Sequence, residues 1–292
     1  MSKTKSILVL IWAYSLALIA GWWVADFWSP SHPIYFVAIA DVVATLVVFA
    51  FSFTFRNSSL YDPYWSVIPI AIAAYWLWEA IMVGLPVNSL RQWILLAVVS
   101  LWGLRLTFNF ARGWPGLVHA DWRYVDLADK HGKRYWLVSF FGVHFMPTVL
   151  VFLGMVPVYF AMNSSVPLGV WDALGVLIAV GGTLIETIAD EQLRQYRKEQ
   201  PKDEPFLRSG LWRYSRHPNY FGEISLWVGL FVSTLGLSPT NFYWTGAGAL
   251  AMIVLFIFVS IPMIDKRMVG SKPGYEAHMQ KVSALIPWFS RY

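Results

Sequence analysis

The chain has no cysteine, which excludes disulfides, thiolate metal ligands and a cysteine nucleophile. Charge is scarce as well. Asp, Glu, Lys and Arg together make up 13% of the residues, about half the share in ordinary soluble domains. No G-x-G-x-x-G follows a strand-like run, so the Rossmann fingerprint is missing. There is no internal repeat of fixed period and no low-complexity tract, whereas a transporter built from inverted repeats would show paired interrupted helices. No metal site is expected.

Hydrocarbon takes the place of charge, with 57% of the 292 residues hydrophobic. A membrane span needs about 20 apolar residues to cross about 30 Å of lipid, and several such runs follow one another with short polar breaks. The fold class is therefore all-α: a polytopic integral membrane helix bundle of about eight transmembrane helices, seven being possible, in one domain over 1–292. The spans are expected at Ile7–Trp28, Pro33–Phe55, Tyr64–Leu85, Arg91–Ala111, Tyr135–Met162, Leu168–Ile188, Tyr220–Leu237 and Phe242–Ile264. The first reads as a span rather than a cleavable signal, because Gly21-Trp22-Trp23 continues the apolar run with no small-residue cleavage site.

A net charge of +5 suggests nucleic acid until its location is considered. With these spans, every Lys and Arg except Arg91 and Arg105, 20 of 22, falls on one side. The positive-inside rule then makes both termini and the two large loops cytoplasmic, in a bacterial inner membrane or the endoplasmic reticulum. The expected partners are the bilayer and a lipid substrate, with no nucleic acid and no obligatory protein.

Ionisable groups within apolar spans point to function by default. Arg105, His144 and Glu223, with Asp62, Glu186 and Asp190 at the margin, fall at similar depth in the cytoplasmic half. Together they would suit a cavity open to the cytosol, placed in the C-terminal half. Arg105 reads equally as snorkelling to lipid phosphate, and His144 as bonding a carbonyl freed by Pro147. Asp41 and Glu79, in the outer half, read as a structural polar contact or the lining of an outer cavity.

Two stretches carry the chemistry. In Ile185–Arg197, Glu186, Asp190, Arg194 and Arg197 share one face if the helix continues. In Leu207–Glu223, read LRSGLWRYSRHPNYFGE, Gly210 allows a turn and Pro218 suits the first turn of a helix. That helix start can receive an anion, and Arg208, Arg213 and Arg216 beside it can bind phosphate. Asn219 and Glu223, four apart, share the face that enters the membrane. Ordinary positive-inside charge explains some of these arginines. The whole layout suits a ligand with phosphates in the cytosol and a ring in an apolar cavity, as in a nicotinamide dinucleotide.

Gly210–Glu223 strongly resembles the signature of the DUF1295 family, within the steroid 5-alpha-reductase and sterol-reductase superfamily. The likeness extends to Asn57–Trp65, Leu101–Thr107, His119–Tyr124 and the tail from Ser260 to Trp288. The resemblance implies a membrane-embedded, NADPH-dependent reductase of a carbon-carbon double bond in a steroid-like or other unsaturated lipid, with N-terminal helices over 1–112 and a reductase-like region over 113–292. Asp190, Arg197, Asn219 and Glu223 match cofactor-holding positions, and Asp265 an acidic cofactor or proton-relay residue. The cofactor set taken from motif and resemblance also includes Arg194, Arg208, Arg213, Tyr214, Arg216, His217, Tyr220, Arg267 and Tyr275. Arg105 or His119 would polarise a substrate carbonyl, with Asp62, His144 or His278 in a proton relay. The tyrosine and glutamate that position the steroid in the 5-alpha-reductases lack equivalents, and His278 stands where sterol reductases carry tyrosine. Two other classes stay open. Arg216–Gly222 also resembles the Arg-His-Pro-x-Tyr-x-Gly core of isoprenylcysteine and phospholipid methyltransferases, which use S-adenosylmethionine, and a non-catalytic lipid-binding protein would keep the same fold.

Overall fold

A computed structural model describes residues 1–199, 204–237 and 242–290. Lys202 and Arg291, counted above among the cytoplasmic cations, lie outside them. The described residues form α1 (Lys3–Trp28), α2 (Pro33–Thr54), α3 (Tyr64–Val83), α4 (Ser89–Gly113), α5 (Trp122–His131), α6 (Tyr135–Ser139), α7 (Met146–Met162), α8 (Val170–Glu199), α9 (Pro218–Val232), α10 (Phe242–Thr245), α11 (Ala247–Leu255), α12 (Ile261–Ser271) and α13 (Tyr275–Lys281). Among them, seven helical stretches are long and apolar enough to cross a membrane. The protein is an all-α, polytopic integral membrane protein.

The expected span not among these seven is the seventh, Tyr220–Leu237, which corresponds to α9, whose 15 residues reach about 22 Å, short of the hydrocarbon thickness. Pro218 starts it. Ser233 and Thr234 end it, turning their hydroxyls back onto the Leu230 and Phe231 carbonyls at 2.7 and 2.6 Å. The sixth expected span instead runs eleven residues further, as α8 to Glu199, because Glu, Gln, Lys and Arg are good helix formers.

Two segments widen to π-helix, Phe140–Phe145 and Phe256–Ser260, each just before a proline, Pro147 or Pro262. Proline has no N–H for the carbonyl four residues back and its ring crowds that carbonyl, so the wider turn relieves both.

The chain divides into two compact units, Met1–Pro167 and Leu168–Tyr292. The division falls later than the 112/113 boundary read from the sequence because α7 packs on α2, α3 and α4. Arg91, expected to be a lone charge in an outer loop, is 1% exposed. Its guanidinium donates to the Val166 and Pro167 carbonyls at 2.8 and 3.1 Å, tying down the end of the first unit.

In the second unit α8 and α9 lie backbone to backbone. A Cβ on Gly182 would meet the Gly222 carbonyl at 2.6 Å, and one on Gly229 the Gly175 carbonyl at the same distance. Apolar helices gain little by hiding from lipid that is equally apolar, so close van der Waals contact across small residues holds such pairs together.

Candidate functional site

The stretch after α8 is fitted onto that helix's last turns. Gly210 has φ +61°, and a Cβ there would meet the Gln192 amide at 2.4 Å. Gln192 Oε1 accepts from the Leu211 N–H at 3.0 Å, and the Trp212 indole donates to the Ala189 carbonyl at 3.0 Å. Neither Gln192 nor Trp212 was picked out from the sequence, although Trp212 lies inside the recognised stretch. Ser215 Oγ accepts from the His217 N–H at 3.1 Å and donates to the Leu285 carbonyl at 2.8 Å, while the Tyr214 carbonyl accepts from the Trp288 N–H at 2.9 Å. The tail is thereby bound to the start of α9.

Asp265 on α12 gathers three donors. Arg216 donates to Oδ2 at 2.8 Å, and His217 Nε2 and the Tyr275 hydroxyl approach Oδ1 at 3.0 and 2.8 Å. A carboxylate only accepts, so His217 carries its proton on Nε2. Arg216 also donates to the Met279 and Val282 carbonyls, each at 2.9 Å. Arg216, His217, Asp265 and Tyr275, expected from motif and resemblance to contact a cofactor, contact one another in the structure. All are buried and direct these atoms at one another, because ionic groups withdrawn from water need partners. They brace the α9 start against the C-terminal segment. Burial and the Asp265 charge push the Tyr275 phenol up, so it stays protonated.

His278 packs against Phe206 and Tyr275, with ring centres 4.9 and 5.6 Å away. Burial, then the positive Arg216 and Arg208, hold its imidazole down at about 4, so it is neutral at pH 7. In the unfolded chain it would titrate near 6.5. Its contribution to stability is thus complete above that value and is lost as pH falls toward 4. The melting temperature should drop between pH 7 and pH 5 more steeply in the native protein than in His278→Gln. Equal slopes would remove His278 as the cause.

On the face of α9 that meets α8, Asn219 Nδ2 donates to Asp190 Oδ1 at 3.3 Å. Asn219 Oδ1 is buried without a hydrogen-bond partner. The nearby carboxyls of Glu186 and Glu223 are also buried, and the Trp227 indole donates to Glu223 Oε1 at 2.9 Å. Trp227 was missed, though its place four residues after Glu223 is a helical signal. Tyr220 stacks on His217 with ring centres 5.3 Å apart and planes 7° apart. Arg194, Arg197, Arg208, Arg213, Tyr214 and Arg267 are exposed. Arg194 pairs with Glu191, and the Arg208 guanidinium lies over Phe206 at 5.5 Å. Continuation of α8 does place Glu186, Asp190, Arg194 and Arg197 on one helix, running from buried to exposed.

Arg105, His119, Asp62 and His144 belong to the first unit. Asp62 accepts from the Tyr124 hydroxyl and has Arg123 at 3.7 Å. Neighbouring Asp121 caps α5, accepting from the Arg123 N–H at 2.9 Å and from its Nε at 2.8 Å. Burial pushes the Asp121 carboxyl up, but the Arg123 hydrogen bond and charge win and hold it below the ordinary carboxylate range. Arg105 lies half-buried on α4. His119 is exposed, and its carbonyl accepts from Asn57 Nδ2 at 2.9 Å. His144 is fully buried, its Nδ1 3.0 Å from the Ser139 carbonyl and its Nε2 3.0 Å from Ser52 Oγ. A carbonyl cannot donate, so Nδ1 carries the proton and Nε2 accepts. His144, a relay candidate in the sequence, thus sits between the Ser139 carbonyl of its own segment and Ser52 of α2.

Residues 48–282 match the profile of the family described as "Protein of unknown function (DUF1295)". The chain is 25% identical over 285 residues to the uncharacterized protein C594.04c of Schizosaccharomyces pombe, an alignment covering 90% of this chain and 82% of that one. No solved structure matches the chain.

Proposed function

From a chain that belongs to the DUF1295 family, we propose an NADPH-dependent oxidoreductase that reduces a carbon-carbon double bond in a steroid-like or other unsaturated membrane lipid, with both termini and the large loops cytoplasmic. The observation that carries the reading is Asn219. Its amide is fixed through Nδ2 on Asp190, and its buried Oδ1 lacks a partner, so it can accept an N–H from a carboxamide such as that of nicotinamide. Buried Glu223, steadied by Trp227, lies one turn further into the same face. The exposed Arg197, Arg208 and Arg213 supply charge for phosphates. Arg216, His217, Asp265 and Tyr275 position the start of α9 through their mutual contacts. NADPH, when bound, would supply a hydride to the electrophilic carbon of the double bond, with a proton adding to the neighbouring carbon. The protein's part is to hold the carboxamide end, exclude water and leave the phosphates in the cytosol.

The test is ligand-dependent melting of the detergent-purified protein with NADPH, NADH or S-adenosylmethionine. A ligand at 100 times its Kd adds about 2.7 kcal/mol, and NADPH should give the largest shift. Stabilisation by S-adenosylmethionine alone would replace the reductase with a methyltransferase. Arg197→Ala should weaken NADPH binding about tenfold, with the loss shrinking as salt screens the charge. Unchanged affinity at low and high salt would remove Arg197 from the site.

A further inference from the structure

A second place suited to a ligand lies in the first unit, between α1, α2 and α3. It is an apolar cavity of about 290 Å³, open on one side, just below the roughly 300–1,000 Å³ of small-molecule sites. One wall is aromatic. Trp22 meets Phe36, Tyr75 and Trp78 edge-on with ring centres 5.2 to 5.6 Å apart, and Phe36 stacks on Tyr75 at 4.8 Å. Trp22 and Trp78 are 44% and 48% exposed, so the wall reaches the surface that an integral membrane protein turns to lipid.

The lining includes one acid, Asp41, which is 2% exposed. Its Oδ1 accepts from the Tyr64 hydroxyl at 2.8 Å, while its Oδ2 is buried with no hydrogen-bond partner. A buried carboxyl oxygen without a partner is costly, and water is a poor companion where nearly all the lining is hydrocarbon. Acyl chains from the bilayer could fill the cavity but would leave Oδ2 unsatisfied. A hydroxyl can donate to a carboxylate and can also accept from a carboxylic acid, so it satisfies Oδ2 in either protonation state.

We propose that this cavity binds a hydroxyl-bearing hydrophobic molecule drawn from the bilayer, with its hydroxyl on Asp41 Oδ2 and its hydrocarbon along the aromatic wall. The site stands apart from the dinucleotide reading and would survive its failure.

The full-length protein in lipid nanodiscs would be photolabelled with a diazirine-bearing 1-dodecanol, and the labelled peptides mapped by mass spectrometry. Label should fall on peptides carrying Trp22, Tyr75 or Trp78, and 1-dodecanol should compete about tenfold better than n-dodecane, the worth of one buried hydrogen bond. Asp41→Leu should keep the label and lose that preference. Ala71→Phe, which narrows the cavity while leaving Asp41 and Tyr64 in the chain, should lose the label, and it serves as the deciding variant if Asp41→Leu does not fold. Equal competition by alcohol and alkane would reduce the cavity to an acyl-chain groove and overturn the proposal. Labelling unaffected by Ala71→Phe, or stronger competition by dodecylamine than by 1-dodecanol, would overturn it equally.

Discussion

Gly182→Ala is expected to destabilise the protein by about 3 kcal/mol, the upper part of the usual range for overpacking. Gly181→Ala, one residue away, should be neutral or stabilising by up to about 1 kcal/mol through helix propensity. A Cβ on Gly182 meets the Gly222 carbonyl and the Ser225 Cβ, both at 2.6 Å, whereas one on Gly181 meets nothing within 4 Å. The obstruction at Gly182 is backbone, which cannot rotate away, so α8 and α9 would have to part. Parting them also separates Asp190 from Asn219, since the two residues face each other across the same seam. Melting in detergent, followed by intrinsic fluorescence, reads the stability, and NADPH-dependent stabilisation reads the site. Equal melting temperatures for the two variants would show that close contact of these helices does not hold the unit together.

Removing one side of the Asp265 cluster should have a comparable or larger effect. Arg216→Met or Asp265→Leu alone is expected to cost about 3–5 kcal/mol, because each leaves a buried charge unmatched. The double variant should recover most of that loss, since buried pairs often yield to apolar residues of similar volume without penalty. Arg216 and Asp265 are 9% and 5% exposed and bond at 2.8 Å, so salt screening should change little. A double-mutant cycle measures the coupling. Single losses below about 1 kcal/mol that simply add would place the pair in the class of weak surface bridges.

Much of the bundle was legible along the chain. Pro33 opens α2 as expected, Pro218 opens α9 two residues before the expected Tyr220, and α3 and the α6–α7 stretch begin at Tyr64 and Tyr135 as expected. The short α5 was not expected, because its ten residues carry an amphipathic pattern too brief to stand out from a charged loop. In the candidate site, Asn219 meets Asp190 across the α8–α9 seam, a contact that the spacing within either helix does not give, and Glu223 lies one turn on from Asn219. The arginines were not separable by inspection. Arg213 and Arg216 lie three residues apart in one basic run, yet Arg213 is exposed and Arg216 is buried.

By itself the sequence determined that this is an α-helical membrane protein and roughly where each helix lies. That preference is summed over about 20 contiguous residues, so no distant partner is needed to express it. Only the tertiary structure decided what the polar groups do. Asp265 lies 49 positions from Arg216 and Asp41 lies 23 from Tyr64, separations at which no local spacing rule applies. A polar group in hydrocarbon must find a partner, but the placement of whole helices chooses which one. That placement made Arg216 a brace, left Asn219 with an unused acceptor, and set Asp41 in the wall of a cavity.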